Sequence, residues 1–146
     1  MRNQVSSLSF VGSFPRDWPE IGLPEVAFAG RSNVGKSSAL NTLLNSKKAA
    51  RVSGRPGRTQ AINLFKIGNR CVFADLPGYG FAKVPHRVQQ QWKGMIESYL
   101  AERDTLRLVV VLVDARRDPQ PMDGTLLYAL TEASIPALVV ATKVDK

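Results

Sequence analysis

Residues 30–37 read GRSNVGKS and stand between a short apolar run, EVAFA, and a segment of helical periodicity, KSSALNTLLN. The octapeptide fits the pattern G-x-x-x-x-G-K-[ST] of a phosphate-binding loop. Its glycines permit backbone angles and close approaches that a Cβ would block, and the N–H groups between them can cradle phosphate oxygens. The helix that follows adds partial positive charge. Lys36 is therefore predicted to contact the β- and γ-phosphates of a nucleotide, and the Ser37 hydroxyl to bind Mg²⁺.

The rest of the chain alternates strand-like and helix-like segments. Strands are predicted at 8–14, 25–29, 61–68, 70–75, 106–115 and 136–142, and helices at 36–45, 86–103 and 122–133. This alternation predicts an α/β, three-layer P-loop NTPase of the Ras-like G-domain type, with a mostly parallel sheet and helices on both faces. The hairpin at 61–75 predicts one antiparallel edge strand. Residues 136–142 are expected to be buried.

Two details of the helices are also expected. Leu40, Leu43 and Leu44 are predicted to lie together on the buried face of the first helix. Asp123 is expected to be exposed on the last helix. Residues 1–24 are predicted to be a polar, proline-containing lead-in, and 25–146 a single G domain.

Positive charge is concentrated in one part of the chain. The 146 residues carry a net charge of +8, yet no acidic residue occurs between Glu25 and Asp75. Five of the basic residues of that stretch fall in a predicted loop at 46–60: Lys47, Lys48, Arg51, Arg55 and Arg58. A local positive field of this kind attracts polyanions, and contact with RNA or the ribosome through 47–58 is predicted. The alternative is a solvated, solubilising surface.

Cysteine content and hydropathy indicate the cellular compartment. Cys71 is the one cysteine, which excludes an internal disulfide and fits a reducing compartment. No apolar run approaches the roughly 18 residues that a membrane span needs. The N-terminal residues lack the continuous apolar stretch of a signal peptide. We expect a cytoplasmic monomer without a membrane span.

Two further motifs indicate which nucleotide is bound. DLPG, residues 75–78, follows an apolar strand, and Asp75 is predicted to hold Mg²⁺ through water while the Gly78 N–H meets the γ-phosphate. TKVD, residues 142–145, ends the last strand. Guanine presents two adjacent donors that the Asp145 carboxylate can accept, and the Lys143 stem can pack along the base. GTP is therefore favoured over ATP.

A switch residue is expected in the loop before residue 61. Thr59 could close over Mg²⁺ when the γ-phosphate is present and be released after hydrolysis. Ser53 is the competing candidate and is ranked lower.

These motifs match a known family. GRSNVGKS, PGRTQ, DLPGYGFAKVP and TKVDK, in this order and spacing, resemble the EngB (YihA/YsxC) GTPases of the TrmE-Era-EngA-EngB-septin branch. The run WKGMIESYLAERDTLRLVVVLVDARRDPQPMD is also similar, so the resemblance covers nearly the whole chain. It implies binding of GTP or GDP with Mg²⁺, a role in assembling the large ribosomal subunit, and a link to normal cell division and septation.

Motifs and resemblance together define the predicted nucleotide-binding residues. They are Gly30, Arg31, Ser32, Asn33, Val34, Gly35, Lys36, Ser37, Gly57, Arg58, Thr59, Gln60, Ala61, Asp75, Leu76, Pro77, Gly78, Thr142, Lys143, Val144 and Asp145. The predicted Mg²⁺ ligands are Ser37, Thr59 and, through water, Asp75.

One departure from Ras-like enzymes concerns turnover. Such enzymes place a water-orienting glutamine directly after D-x-x-G, where this chain has Tyr79. Hydrolysis of GTP to GDP and phosphate is therefore expected to be slow and to be stimulated on the ribosome. Relatives in this branch can use potassium held by a P-loop asparagine, and Asn33 stands at that position. Whether potassium assists here is left open.

The second departure is at the end of the chain. Family members continue beyond TKVD with a base-supporting loop, a strand and a helix, which this sequence lacks. The strand at 136–142 would then be an exposed edge, and the chain is either a fragment or naturally short. Two alternatives to a ribosomal GTPase remain: a nucleotide-binding module without turnover, and a GTPase that acts on another RNA or a division protein.

Overall fold

The computed structural model describes residues 8–45, 60–80 and 85–143. These residues form six strands and three helices: β1 (Leu8–Phe14), β2 (Glu25–Gly30), α1 (Lys36–Leu43), β3 (Ile62–Ile67), β4 (Cys71–Asp75), α2 (His86–Glu102), β5 (Leu106–Asp114), α3 (Pro121–Glu132) and β6 (Ala137–Thr142). The α/β class predicted from the alternating segments is confirmed. None of the helices in the described ranges is long and apolar enough to cross a membrane.

The six strands form one mixed sheet in the order β1-β3-β4-β2-β5-β6. Strand β2 lies inside it and runs parallel to β4 and β5, and β6 runs parallel to β5. The register pairs Phe28 with Asp75, so β2 and β4 end side by side. Because β2, β4 and β6 run in the same direction, their carboxyl ends lie at one end of the sheet. The motifs at 30–37 and 75–78 and the first two residues of TKVD, 142–143, are therefore brought to that end.

The predicted antiparallel strand is present, but it is not at the edge. Strand β3 pairs antiparallel with β4, and β1 pairs antiparallel with β3 along its other side, from Leu8↔Ile67 to Phe14↔Ile62. The sheet therefore has the predicted antiparallel edge, but its outermost strand is β1 and not a strand of the 61–75 hairpin. The reason is that β1, which lies within the segment 1–24, supplies the missing hydrogen-bond partners of β3.

Three layers follow from the alternation of side chains along β2. Val26 and Phe28 face α1, where Phe28 packs with Leu40 in a small apolar cluster. Ala27 and Ala29 face the other way and join the main core formed with α2 and α3. Alanine is suited to this second face because bulky side chains from two helices pack against it. The predicted arrangement of helices on both faces is confirmed.

Helix α1 departs in one respect from the predicted buried face. Leu40 and Leu44 are buried, whereas Leu43 is 54% exposed. The buried positions follow an i, i+4 line from Lys36 through Leu40 to Leu44. Leu43 lies off that line, because it follows Leu40 by three residues and its side chain therefore points to a different side of the helix from that of Leu44.

Strand β6 is not buried as the apolar run at 136–142 predicts. Leu138 and Val139 are 51% and 50% exposed, and they point to opposite faces of the sheet. Among the described elements only β5 pairs with β6. Within the described residues, β6 is therefore an exposed edge strand.

A buried charged network joins the N-terminal segment to the domain. Glu25 is fully buried and accepts hydrogen bonds from Arg103, with Arg103 Nη2 to Glu25 Oε1 at 2.9 Å, and from the Tyr99 hydroxyl. Arg103 Nη1 also donates to the Trp18 carbonyl at 3.3 Å. Burial and the neighbouring Glu25 carboxylate raise the pKa of Tyr99 well above its usual value. The start of β2, the end of α2 and the segment before β2 are thus connected by one set of hydrogen bonds.

Candidate functional site

The loop between β2 and α1 has the backbone of a phosphate-binding loop. It begins at Gly30, the last residue of β2, and ends at Lys36, the first residue of α1. Gly35 has φ 103°, a left-handed conformation that L-residues with side chains rarely adopt. Asn33 also has a positive φ of 66°, which asparagine tolerates better than most residues. Val34 is buried and fixes the loop against the α1 side of the sheet.

Lys36 and Asp75 form a buried ion pair at the centre of the site. The ammonium Nζ of Lys36 contacts Asp75 Oδ1, and the two side chains are 8% and 2% exposed. Asn63 Nδ2 lies 3.4 Å from the other Asp75 oxygen. Both charges are removed from water, so each depends on the other for compensation. Phosphate oxygens could pair with the Lys36 ammonium and a hydrated cation with the Asp75 carboxylate. Neither charge would then be left unpaired.

The D-x-x-G loop is hydrogen-bonded to the strand and loop beside it. Leu76 N donates to the Phe28 carbonyl at 3.0 Å, and Ser32 N donates to the Tyr79 carbonyl at 2.7 Å. Gly78 lies directly against Ser32, because a Cβ added to Gly78 would be 3.2 Å from Ser32 Oγ. A side chain at position 78 would require Ser32 to shift by a few tenths of an ångström. The P-loop and the D-x-x-G loop are therefore in direct contact.

Tyr79 is buried and its polar group is already bound. Its hydroxyl donates to Asp123 Oδ1 at 2.6 Å, and its ring packs edge-on against Trp92 with centroids 4.9 Å apart. Trp92 Nε1 in turn donates to the Pro77 carbonyl at 2.9 Å. Burial and the bond to Asp123 raise the pKa of Tyr79 above its usual value. The side chain that stands in place of the water-orienting glutamine is thus directed into the protein.

Asp123 was expected to be exposed, and that expectation is wrong. The side chain is 5% exposed and receives the Tyr79 hydroxyl. Its other oxygen accepts the backbone N–H of Gln120 at 2.8 Å, which caps the first turn of α3. The capping pattern is local and could have indicated the role of Asp123 at the helix start. The contact with Tyr79, 44 residues away, has no local signal.

The first residues of TKVD contact the P-loop. Lys143 Nζ donates to the Asn33 carbonyl at 2.8 Å, and the Thr142 hydroxyl lies 2.8 Å from the Val34 carbonyl. Lys143 has φ 61°, a strained conformation for a lysine, at the point where the chain leaves β6. Lys143 Nζ is also 3.7 Å from Asp114 at the end of β5. Two predicted parts of the site, the P-loop and TKVD, are therefore joined by hydrogen bonds.

Asp114 belongs to this end of the sheet and was not predicted. The Arg116 guanidinium donates to both of its oxygens, with Nη2 to Oδ2 at 2.9 Å. These bonds, chiefly, hold the pKa of Asp114 well below its usual range. A carboxylate that ends a strand and is followed by two arginines, as in VDARR, is the sequence signal that could have found it.

The remaining predicted residues are placed as follows. Ser37 follows Lys36 in α1, and Gln60 and Ala61 immediately precede β3. Five lie outside the described residues: Gly57, Arg58, Thr59, Val144 and Asp145. In the described ranges, no group of three or more His, Cys, Asp or Glu residues could hold a metal. Mg²⁺ does not require one, because it keeps several waters and binds phosphates with one or two protein oxygens.

Fold and loop arrangement together define the class of protein. A phosphate loop follows the inner strand β2, D-x-x-G follows the parallel strand β4, and TKVD begins at the end of β6 and contacts the phosphate loop. This is the fold of a P-loop GTPase domain.

Comparison with known proteins identifies the family. A family model described as "50S ribosome-binding GTPase" matches residues 25–143. A probable GTP-binding protein EngB from Geobacter metallireducens is 51% identical over 145 residues, which is 98% of this chain and 71% of the relative. The corresponding protein from Desulfotalea psychrophila is 52% identical over 128 residues, 88% of this chain and 66% of the relative. The chain belongs to the EngB family of GTP-binding proteins.

A solved structure agrees with this assignment. The crystal structure of a probable GTP-binding protein EngB superposes with a TM-score of 0.66 at 30% identity, and the match covers 83% of this chain and 71% of that one. The family resemblance and the fold class inferred from the sequence are both confirmed.

Proposed function

We propose that this chain binds GTP and GDP with Mg²⁺ and acts as a slow GTPase switch in assembly of the large ribosomal subunit. Membership of a GTPase family supports nucleotide binding, and the description of the matching family model, a 50S ribosome-binding GTPase, supports the large subunit as the partner. We also propose that the protein is a cytoplasmic monomer and that it is needed for normal cell division and septation.

The observation that carries the proposal is the contact between TKVD and the P-loop. Lys143 and Thr142 are hydrogen-bonded to the carbonyls of Asn33 and Val34. The first two residues of the segment proposed to read the base are thereby held against the loop proposed to bind phosphates. This contact supports a single nucleotide site that extends from the P-loop to TKVD.

The residues present fit a nucleotide and its magnesium ion. Lys36 is proposed for the β- and γ-phosphates, and the Ser37 hydroxyl and Asp75, through water, for Mg²⁺. The buried Lys36–Asp75 pair supports this, because the anionic phosphates and the cation can each replace one partner. Thr59 as a third Mg²⁺ ligand and Asp145 as the guanine acceptor are proposed from the sequence. When bound, Mg²⁺ would neutralise charge on the phosphates.

Slow turnover is supported by Tyr79. Its hydroxyl is bound to Asp123 and its ring is packed against Trp92, so this side chain is not free to orient water. We propose that the ribosome stimulates hydrolysis and that potassium near Asn33 can assist. The same observation favours the second candidate function, nucleotide binding without turnover. Single-turnover hydrolysis of GTP, with and without potassium and with and without ribosomal subunits, separates the two.

The first experiment is titration with a fluorescent GDP analogue in the presence of Mg²⁺. We expect micromolar binding that unlabelled GDP displaces and ADP does not. Lys36→Ala should abolish it, because the phosphates lose their cation, whereas Lys93→Ala on the exposed side of α2 should bind like the wild type. Displacement by ADP and GDP alike would contradict guanine recognition. Equal binding by the two lysine variants would contradict the assigned phosphate site.

The partner is tested by co-sedimentation with ribosomal subunits at several salt concentrations. We expect GTP-dependent sedimentation with the large subunit that weakens as salt rises, because each phosphate contact releases counterions. Neutralising Lys47, Lys48 and Arg51 should weaken binding and flatten its salt dependence. The matched control neutralises three exposed basic residues elsewhere, Arg87 and Lys93 of α2 and Arg107 of β5. Binding to neither subunit, or equal loss in the control, would refute contact through 47–58.

A further inference from the structure

The hydroxyl of Ser32 is buried inside the site and lacks a hydrogen-bond partner among the residues that the structure describes. Buried hydroxyls in folded proteins are nearly always paired, because an unmade hydrogen bond costs the group its hydration. The backbone of the same residue is paired, since Ser32 N donates to the Tyr79 carbonyl at 2.7 Å. The orphaned group is therefore the side chain alone.

Ser32 Oγ is held at the contact between the P-loop and the D-x-x-G loop. It would lie 3.2 Å from a Cβ placed on Gly78, and the Ser32 Cα would lie 3.4 Å from it. Gly78 is the residue whose N–H we assign to the γ-phosphate. Under that assignment, a hydroxyl held against Gly78 lies on the γ-phosphate side of the proposed site, which GTP would fill and GDP would not.

The polar groups of the neighbouring side chains are either bound already or lie farther from Gly78. The Tyr79 hydroxyl is bound to Asp123, and Lys36 is the cation assigned to both β- and γ-phosphates. Arg31 Nε is also buried without a partner in the described part of the chain, but it lies against Gly80, beyond Tyr79. Among the buried side-chain donors without a partner in the described residues, Ser32 is therefore the one that lies against Gly78.

We propose that the Ser32 hydroxyl donates a hydrogen bond to an oxygen of the γ-phosphate and so favours GTP over GDP. The inference rests on the proposed function, because it requires that the site bind GTP. A hydroxyl bound to a phosphate oxygen forms a charge-assisted bond, which is stronger than a neutral one. The bond exists only with the triphosphate, so its loss should change the affinity for GTP and not that for GDP.

The test is Ser32→Ala, which removes the hydroxyl and adds no volume beside Gly78. The matched control is Ser38→Ala, at an exposed position six residues later in α1. Fluorescent GDP and a fluorescent non-hydrolysable GTP analogue are titrated against both variants and the wild type, and each protein is melted by circular dichroism. We expect Ser32→Ala to lose at least about tenfold in affinity for the GTP analogue, as for a hydrogen bond to a charged group. Its affinity for GDP should stay within about twofold, and Ser38→Ala should resemble the wild type.

Each other outcome overturns the inference. Unchanged affinity for both nucleotides would mean that the hydroxyl does not contact the ligand. Equal weakening for GDP and the GTP analogue, or a Ser32→Ala chain that does not fold, would mean that it supports the loop as a whole. Failure of the wild type to bind either nucleotide would be a different result, because it refutes the proposed function itself and the inference with it.

Discussion

Tyr79 joins three parts of the molecule through one side chain. Its carbonyl accepts the Ser32 N–H, its ring packs on Trp92 of α2, and its hydroxyl donates to Asp123 of α3. The D-x-x-G loop is consequently positioned by two helices as well as by the strand that precedes it. A residue that replaces a catalytic glutamine in the sequence acts here as the anchor of the loop.

Removal of the Tyr79 hydroxyl should alter the pH dependence of stability. The pKa of Tyr79 is raised in the folded chain, whereas an unfolded tyrosine titrates near 10. Above about pH 10 the unfolded chain releases a proton that the folded chain retains, so the free energy of unfolding falls as pH rises, by about 1.4 kcal/mol per pH unit for each such proton. Tyr79→Phe should be less stable by about 1–3 kcal/mol at neutral pH, because Asp123 loses a donor. It should then lose stability less steeply above about pH 10.

Urea unfolding from neutral pH to about pH 11 measures both effects. Tyr128→Phe is the control, because Tyr128 is 68% exposed on α3. It should match the wild type in stability and in slope. A Tyr79→Phe slope as steep as that of the control would contradict the retained proton.

The geometry of a single residue can be predicted where the local sequence sets it. Gly35 has the positive φ that the P-loop pattern requires. Lys36 begins the helix that follows β2 and Asp75 ends β4, so the two side chains meet at the same end of these neighbouring parallel strands. The contact of Asp123 with Tyr79 could not be predicted, since it is set by the packing of α2 and α3 against the D-x-x-G loop. Glu25 is similar: a glutamate that begins a strand gives no sign that Arg103 and Tyr99 will enclose it.

At the scale of elements, the Glu25–Arg103 pair connects the start of β2 to the end of α2. Their side chains are 0% and 5% exposed, and Arg103 also binds the carbonyl of Trp18. The elements therefore do not depend on apolar packing alone. A buried pair of this kind makes each partner necessary to the other, because a lone buried charge is costly.

Truncation of Arg103 should destabilise the fold more than truncation of a surface arginine. Arg103→Ala leaves the Glu25 carboxylate buried and unpaired, and we expect a loss of about 3–5 kcal/mol in the free energy of unfolding. Arg107→Ala, at an exposed position of β5, should cost no more than about 0.5 kcal/mol. Urea midpoints give both values. The double variant Glu25→Gln, Arg103→Met should recover part of the loss, and equal costs for the two single variants would contradict the role of the pair.

The elements themselves were largely visible in the sequence. Val88, Trp92, Ile96 and Tyr99 recur at helical spacing, and α2 is observed at His86–Glu102 with these side chains buried. The position of β1 was not visible, because strand propensity shows that a segment pairs but not which strand it pairs with. Only tertiary packing decides that LSFVGSF lies outside β3.

At the scale of the whole molecule, both edges of the sheet in the described residues expose apolar side chains. Strand β1 exposes Phe10 and Val11, and strand β6 exposes Leu138 and Val139, each of which is about half accessible. Unpaired strand edges with apolar side chains favour association between chains. The functional loops lie at one end of the strands, whereas this apolar surface lies along their side.

The exposed β6 edge predicts that the chain associates at high concentration and that a lysine introduced in this strand reduces the association. At micromolar concentration we expect a monomer, with association of the 146-residue chain rising at higher concentration through β6. Leu138→Lys should reduce that association, because a charge on an edge strand opposes pairing. Leu43→Lys is the control, since Leu43 is 54% exposed but lies on α1. Static light scattering over a concentration series checks this, and an equal effect of both lysines would mean that general surface charge, not the strand edge, is responsible.

The hydrogen bond from Trp92 to the Pro77 carbonyl gives the molecule an internal optical reporter. The chain has two tryptophans, and the other, Trp18, packs against Tyr99 at the Glu25 network. In a Trp18→Phe protein, emission would come from Trp92 alone, and its wavelength would depend on whether the indole N–H remains bound to the D-x-x-G loop. Rearrangement of that loop could then be timed by stopped-flow fluorescence without a dye attached to the nucleotide or the protein.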